Sequence, residues 1–114
     1  MSAMQASPRR LCLIGDVAPG AVRRVDVDGQ AYAVFNVDGV FHVTDDTCTH
    51  GFASLSEGLL LGHVITCPWH GGEFDVRSGT PVASPCIDPL RVHRCRVEGD
   101  AVVAWLRAPQ EEHP

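Results

Sequence analysis

Four residues with metal-binding side chains lie in two short segments near the middle of the chain. The first segment reads Cys48-Thr49-His50 and the second reads Cys67-Pro68-Trp69-His70, with sixteen residues between them. Each segment brings one thiol and one imidazole close enough to share a single metal centre. Two thiolates and two imidazoles suit either a zinc ion or a binuclear iron cluster in which two histidines bind one iron.

The order of these ligands favours the iron cluster. A zinc finger groups its two cysteines before its two histidines and carries the histidines on a helix. Here the two residue types alternate, and the sequence has no convincing helical period. Glycines at positions 51, 71 and 72 suit tight turns whose N–H groups can face anionic sulfides. A zinc-binding structural domain stays open as the alternative.

The elements that must position these segments are short β-strands. Alternation of apolar and polar residues predicts strands at residues 11–14, 22–27, 32–37, 40–43, 59–66, 73–76, 91–97 and 101–106. Asp28-Gly29 and Asp38-Gly39 are hairpin dipeptides and predict a meander. The expected fold is all-β, a small antiparallel barrel or sandwich. Two ligand loops, at about residues 45–58 and 67–72, lie at one tip, and a proline-rich loop at 81–89 is not a central strand.

Length and composition set the remaining expectations. The 114 residues suffice for one domain, which we expect at residues 9–108 between flexible ends at 1–8 and 109–114. The net charge of −5 argues against a nucleic-acid partner. No apolar run reaches the roughly 20 residues that span a bilayer, so no membrane partner is expected. Five cysteines, an odd number, favour a reducing, cytoplasmic compartment, and a monomer is expected.

The spacing Cys-x-His, sixteen residues, Cys-x2-His resembles the Rieske family. The segments 46–51, 53–58 and 79–86 are similar to the stand-alone Rieske ferredoxins of bacterial aromatic-ring-hydroxylating dioxygenase systems, and most of all to those of carbazole dioxygenase systems. The resemblance implies one [2Fe–2S] cluster, with Cys48 and Cys67 on the inner iron and His50 and His70 on the outer iron. It implies an electron carrier rather than an enzyme, taking electrons from an NAD(P)H-dependent flavin reductase to a terminal oxygenase.

Departures from the respiratory members of that family imply a low reduction potential. Their disulfide between the ligand loops is impossible here, because Ala53 and Trp69 occupy the matching positions. Their serine and tyrosine hydroxyls, which bond to sulfur, are replaced by Gly72 and Phe74. Since two donors that stabilise the reduced state are missing, we expect a potential of about −150 mV, at the lower end of the Rieske range.

The resemblance also implies a docking surface. The edges of His50 and His70 are expected to touch the partner within an apolar ring of Phe52, Trp69 and Pro85. Such a small patch suits transient binding of reductase and oxygenase in turn. Asp45 and Asp46 are interpreted as solvated loop residues. Arg91, Arg94 and Arg96 are interpreted as a solvated strand face, and Cys12, Cys86 and Cys95 as structural thiols.

Two further functions remain open at this point. The chain could be the Rieske domain of a terminal oxygenase, which would need a mononuclear iron site on a further domain. The nitrite reductase small subunits share the fold, but those relatives lack the ligands that this chain keeps.

Overall fold

The chain folds into two antiparallel β-sheets in the computed structural model, which describes residues 7–49, 53–69, 71–83 and 88–107. The strands are β1 (Pro8–Leu13), β2 (Val22–Val27), β3 (Gln30–Val37), β4 (Val40–Asp45), β5 (Leu59–Leu61), β6 (Val64–Thr66), β7 (Glu73–Asp75), β8 (Pro81–Ala83), β9 (Val92–Glu98) and β10 (Ala101–Trp105). Six of them form a sheet in the order β1-β10-β9-β4-β3-β2, and four form a second sheet in the order β5-β6-β7-β8. The predicted all-β class is confirmed.

Two short 3-10 helices interrupt the strands, at Ile14–Asp16 and Leu55–Glu57. The second of them lies at the end of the first ligand loop and leads into β5. Among the described residues, no helix is long and apolar enough to cross a membrane.

The predicted meander of β2, β3 and β4 is confirmed together with its turns. Asp28 and Gly29 have φ angles of 54° and 83°, and Asp38 and Gly39 have φ angles of 55° and 93°. Two consecutive residues with positive φ are the signature of the type I′ turn, which matches the twist of a hairpin and favours Asp-Gly. The two dipeptides therefore fix the register of three neighbouring strands.

Strand β3 separates two hydrophobic cores. Tyr32 and Val34 point into one core, and Ala33 and Phe35 point into the other. Successive side chains of a strand leave on opposite faces, so a strand buried on both faces reads as a continuous apolar run. The core that receives Ala33 and Phe35 also contains Cys48 and Cys67. Strand β3 therefore lines one side of the core that holds both cysteines.

Three predicted elements differ from the structure. Residues 59–66, expected as one strand, form the hairpin of β5 and β6, because the chain turns at Gly62 and His63. The proline-rich segment, expected as a loop, begins with the edge strand β8. Pro81 has no N–H to donate, and an edge strand tolerates that loss. The first strand begins at Pro8 rather than Leu11, and it ends before Ile14, where the first 3-10 helix starts.

Candidate metal centre

The two cysteines predicted as ligands begin loops that are closed in the same way. The N–H of Cys48 donates to the carbonyl of Ala53 at 2.9 Å, and the N–H of Cys67 donates to the carbonyl of Gly72 at 2.7 Å. In both cases the donor is the cysteine and the acceptor lies five residues further along the chain. The second loop has an additional bond from the Gly71 N–H to the Cys67 carbonyl at 3.2 Å. The two loops are thus closed by the same type of backbone hydrogen bond.

Both cysteines are buried in the same apolar core. Each has only 2% of its surface exposed, and both pack in one cluster with Leu55, Ile65 and Phe74. Strands β6 and β7 carry Ile65 and Phe74 into this core, so the smaller sheet forms its wall. The structure therefore brings the two thiols of the predicted ligand set to one water-excluded region.

A buried carboxylate, that of Asp46, supports the first loop. Its Oδ2 accepts a hydrogen bond from the Ser54 hydroxyl, and its Oδ1 accepts one from the Ser56 N–H at 2.8 Å. Its backbone carbonyl accepts the Leu55 N–H at 2.7 Å, and its own N–H donates to Ala31 at 3.1 Å. Because a buried carboxylate is costly unless its oxygens are hydrogen-bonded, this set fixes both sides of the loop relative to β3.

A second polar network lies at the end of β4, three residues before Cys48. The Asp45 carboxylate accepts bonds from Arg91 Nε at 2.9 Å and from His93 Nε2 at 2.8 Å. His93 Nδ1 accepts the Arg107 N–H at 3.1 Å, which places the ring proton on Nε2. Burial raises the pKa of Asp45, but the hydrogen bonds from His93 and Arg91 outweigh burial and hold that pKa below its ordinary value.

Gly58 lies against β6 and so brings the end of the first ligand loop next to the strand that precedes the second. A Cβ at Gly58 would overlap the carbonyl oxygen of Thr66, the residue before Cys67, and would lie 3.2 Å from the Leu55 carbonyl oxygen. The Gly58 N–H also donates to that Leu55 carbonyl at 2.9 Å. Only glycine permits this contact, so Gly58 sets how closely the end of the first loop segment lies to the start of the second.

The proline-rich segment is hydrogen-bonded to the first ligand loop near its end, and its two flanks are hydrogen-bonded to each other. The Thr49 hydroxyl, in the first loop, donates to the Asp88 carbonyl at 2.9 Å. The Leu90 N–H donates to the Gly79 carbonyl at 2.9 Å. These bonds place the end of the segment beside the first ligand loop.

The remaining predicted site residues are described in part. Trp69 is 66% exposed beside the buried Cys67. His50, His70, Phe52 and Pro85 lie outside the described residues. Within the described ranges, which hold the predicted ligand cysteines but not the predicted ligand histidines, no group of three or more His, Cys, Asp or Glu side chains could hold a metal ion.

Three residues interpreted as solvated have other roles. Asp46 is buried, Asp45 is half-buried and paired, and Arg91 is half-buried in the ion pair with Asp45 instead of lying on a strand face. Sequence reasoning also missed Ser54 and its bond to Asp46. The sequence signal for this bond was limited to an acidic residue shortly before Cys48 and hydroxyl residues after it.

The described donors fit an iron–sulfur cluster. Thiolates are the ligands by which proteins hold such clusters, and an apolar core best accepts a centre with little net charge. Two ferric ions, two sulfides, two thiolates and two neutral imidazoles sum to zero. Phe74 presents a ring without a hydroxyl to the same core, so it offers no hydrogen bond to sulfur.

Comparison with known proteins gives one consistent result. The Rieske [2Fe–2S] domain family matches residues 7–94. The chain is 52% identical over 97 residues to ferredoxin CarAc of Metapseudomonas resinovorans, covering 83% of this chain and 91% of that protein. It is 48% identical over 94 residues to the ferredoxin component of the p-cumate 2,3-dioxygenase system of Pseudomonas putida, covering 81% of this chain and 80% of that protein.

Solved structures agree with the sequence relatives. A chain in the complex of reduced oxygenase and oxidized ferredoxin in carbazole 1,9a-dioxygenase aligns with a TM-score of 0.85 at 45% identity, covering 91% of this chain and 97% of that chain. The ferredoxin of Sphingomonas yanoikuyae B1 aligns with a TM-score of 0.84 at 39% identity, covering 88% of this chain and 99% of that chain. The chain therefore belongs to the Rieske [2Fe–2S] family and groups with the ferredoxin components of aromatic-ring dioxygenase systems.

Proposed function

We propose that the chain is a one-electron carrier between an NAD(P)H-dependent flavin ferredoxin reductase and the Rieske terminal oxygenase of an aromatic-ring dioxygenase system. The observation that carries this proposal is the pair of matching loops, each of which starts at a buried cysteine in one apolar core. The ferredoxin relatives, aligned over most of this chain, support the same role. The carrier acts as a cytoplasmic monomer.

Four side chains hold one Rieske cluster in this proposal. Cys48 and Cys67 bind the inner iron, and His50 and His70 bind the outer iron. When bound, the cluster takes up and returns a single electron. The protein keeps the two thiolates away from water, since both lie in the apolar core, and the closed loops limit how far the ligands can move between the two oxidation states.

The partners bind in turn at the tip formed by the two ligand loops. The outer edges of His50 and His70 face the partner, and Phe52, Trp69 and Pro85 form the apolar ring around them. The 66% exposure of the large Trp69 side chain supports this assignment, because an exposed aromatic residue beside a buried ligand favours a transient protein contact. If Trp69→Ala left electron transfer to both partners unchanged, the ring would be misplaced.

The reduction potential lies near the lower end of the Rieske range, at about −150 mV. Gly72 and Phe74 both lie beside the second ligand loop and supply no hydroxyl to sulfur. Fewer hydrogen bonds to sulfur leave the reduced state less stabilised. This potential suits a carrier that is reduced by a flavin enzyme.

Metal and sulfide analysis of the purified chain, combined with electron paramagnetic resonance of the dithionite-reduced protein, tests the proposal. We expect two irons and two acid-labile sulfides per chain, and a mean g value below that of all-cysteine clusters. Cys48→Ser and Cys67→Ser should lower cluster content, whereas Cys12→Ser, a buried thiol in the other core, should not. Equimolar zinc without sulfide would instead support a structural zinc domain and remove the carrier role.

A further inference from the structure

One face of the six-stranded sheet carries arginines in neighbouring cross-strand rows. On strands β1, β10 and β9, Arg10 pairs with Val103 and Val103 pairs with Arg96. In the next row, Trp105 pairs with Arg94. Directly paired residues of antiparallel strands point to the same side, so these side chains share one face. We call Arg10, Arg94, Arg96 and Trp105 the arginine face.

Two arginines of this face lie over the ring of Trp105. The guanidinium carbon of Arg94 lies 4.6 Å from the centroid of the Trp105 ring, and that of Arg96 lies 5.4 Å from it. The three arginines are exposed, Trp105 is half-buried, and Val103 is buried beneath them. The ring thus holds two guanidinium groups at the surface in defined positions.

The charge of the arginine face contrasts with that of the chain. Arg96 is paired with Glu98 at 2.5 Å, but Arg10 and Arg94 form no ion pair within the described part of the chain. The chain as a whole has a net charge of −5. The face is therefore a positive region on an acidic protein, and such a region orients the molecule toward a negatively charged surface.

Strand register places the arginine face toward the ligand loops. Arg94 follows Val92 by two residues, and Val92 pairs with Thr44 at the end of β4. Four residues after Thr44 the chain reaches Cys48, the first ligand. The face therefore begins at the end of the sheet that leads into the metal centre, on strands that are separate from the two ligand loops.

We propose that the arginine face is a second docking contact, bound by carboxylate groups on the surface of a protein that exchanges electrons with this chain. The inference rests on the proposed carrier function. Guanidinium groups bind carboxylates through two parallel hydrogen bonds, and Trp and Arg are the residues that most often dominate protein interfaces. A nucleic acid or an anionic membrane is disfavoured, because the net negative charge of the chain repels an extended polyanion.

The experiment compares two double charge reversals. Arg10→Glu/Arg94→Glu changes the face without disturbing the Arg96–Glu98 pair. Arg23→Glu/Arg24→Glu makes the same charge change at two exposed arginines of β2, of which Arg24 is paired with Asp26, and serves as the control. Arg10→Gln/Arg94→Gln removes the two positive charges without adding negative ones, so it tests the face with a variant that is less prone to misfold. Stopped-flow spectroscopy measures second-order electron-transfer rates with the purified reductase and terminal oxygenase of the carbazole 1,9a-dioxygenase system, at low and at high NaCl concentration.

At low salt we expect the face variant to lose about tenfold in rate with at least one of the two partners, and the control to lose less than about twofold. The glutamine variant should fall between wild type and the glutamate variant. At about 0.5 M NaCl all four proteins should converge, because salt screens surface charge. The paramagnetic resonance spectrum should not change.

Equal rates for the face variant and the control at low salt would overturn the inference. So would a loss that persists at high salt, which would indicate a damaged cluster site, or binding of the wild-type face to anionic vesicles or DNA. A wild-type chain that passes no electrons to either partner would overturn the carrier function itself, and the inference with it. These two failures are distinguishable because only the second affects the wild type.

Discussion

The imidazole Nε2 of His93 lies 2.8 Å from Oδ1 of Asp45, and the ring stands edge-on to Tyr32 with 5.2 Å between the ring centroids. His93 is buried, and its Nδ1 accepts the Arg107 N–H. One side chain on β9 thereby joins the end of β4, Tyr32 of β3 and the segment after β10. Asp45, which accepts this hydrogen bond, lies three residues before Cys48.

Replacing this imidazole should destabilise the fold. We expect His93→Gln to lower the free energy of unfolding by about 2–3 kcal/mol, because it removes the ring packing against Tyr32 and leaves buried polar groups without partners. Urea unfolding followed by circular dichroism measures this change. His63→Gln is the control. His63 is only half-buried, and its Nε2 lies 3.9 Å from Asp75 Oδ2, beyond hydrogen-bond distance. A similar loss of unfolding free energy in both variants would mean that the His93 network stabilises the fold no more than the half-buried His63 does.

The Asp45 carboxylate should make stability depend on pH in the acid range. Its pKa lies below the ordinary value of 3.8, so its charged form stabilises the fold at pH values above 3.8. That contribution is lost as pH falls below 3.8 through the lower pKa of the folded state. We expect Asp45→Asn to be less stable than wild type at pH 7, and the difference between the two to shrink toward pH 3. A constant difference across this range would show that the carboxylate charge contributes nothing.

Local signals explain which parts of the fold the sequence predicted. Asp28-Gly29 demands two consecutive positive φ angles, so the hairpin of β2 and β3 follows from a dipeptide. The pairing of β1 with β10 joins residues 88 to 97 positions apart, from Leu13 with Ala101 to Pro8 with Trp105, and no local pattern specifies such a partner. The strands themselves were recognised from alternation, but their order in the sheet was not.

The same distinction applies to the site. Cys48 and Cys67 are predicted as ligands because residue type and spacing are properties of the sequence, and the structure brings both into one core. The burial of Asp46 is not predicted, because it depends on Ser54 and on β3 closing around the carboxylate. From the sequence alone, Gly58 is only one residue of a segment, 53–58, that resembles the family. Its role depends on how close the Thr66 carbonyl lies, and that distance exists only in the folded chain.

The contact at Gly58 gives a third prediction. A methyl group at this position must displace either the second 3-10 helix, at the end of the first ligand loop, or β6, which leads into Cys67. We expect Gly58→Ala to cost about 2–3 kcal/mol in the free energy of unfolding and to lower the iron and sulfide content of the purified protein. Chemical denaturation and metal analysis measure the two effects.

Gly15→Ala is the matched control for that substitution. A Cβ at Gly15 meets no atom within 4 Å, and its backbone does not require a positive φ. We expect this variant to keep wild-type stability within about 0.5 kcal/mol and to keep its full cluster content. If Gly58→Ala behaved in the same way, the spacing of the two ligand loops would not depend on the absence of a side chain at position 58.

A hydroxyl introduced beside the second ligand loop should raise the reduction potential. Phe74 is fully buried in the core that holds both ligand cysteines, so Phe74→Tyr can place an O–H near sulfur. A hydrogen bond that favours the reduced state by about 1 kcal/mol corresponds to roughly 40–50 mV for a one-electron couple. We expect a rise of this size in a redox titration followed by paramagnetic resonance. Phe41→Tyr adds the same hydroxyl beside the other core, and its potential should stay at the wild-type value. A shift of equal size in both variants would show that the hydroxyl acts on the whole protein and not through the sulfur ligands.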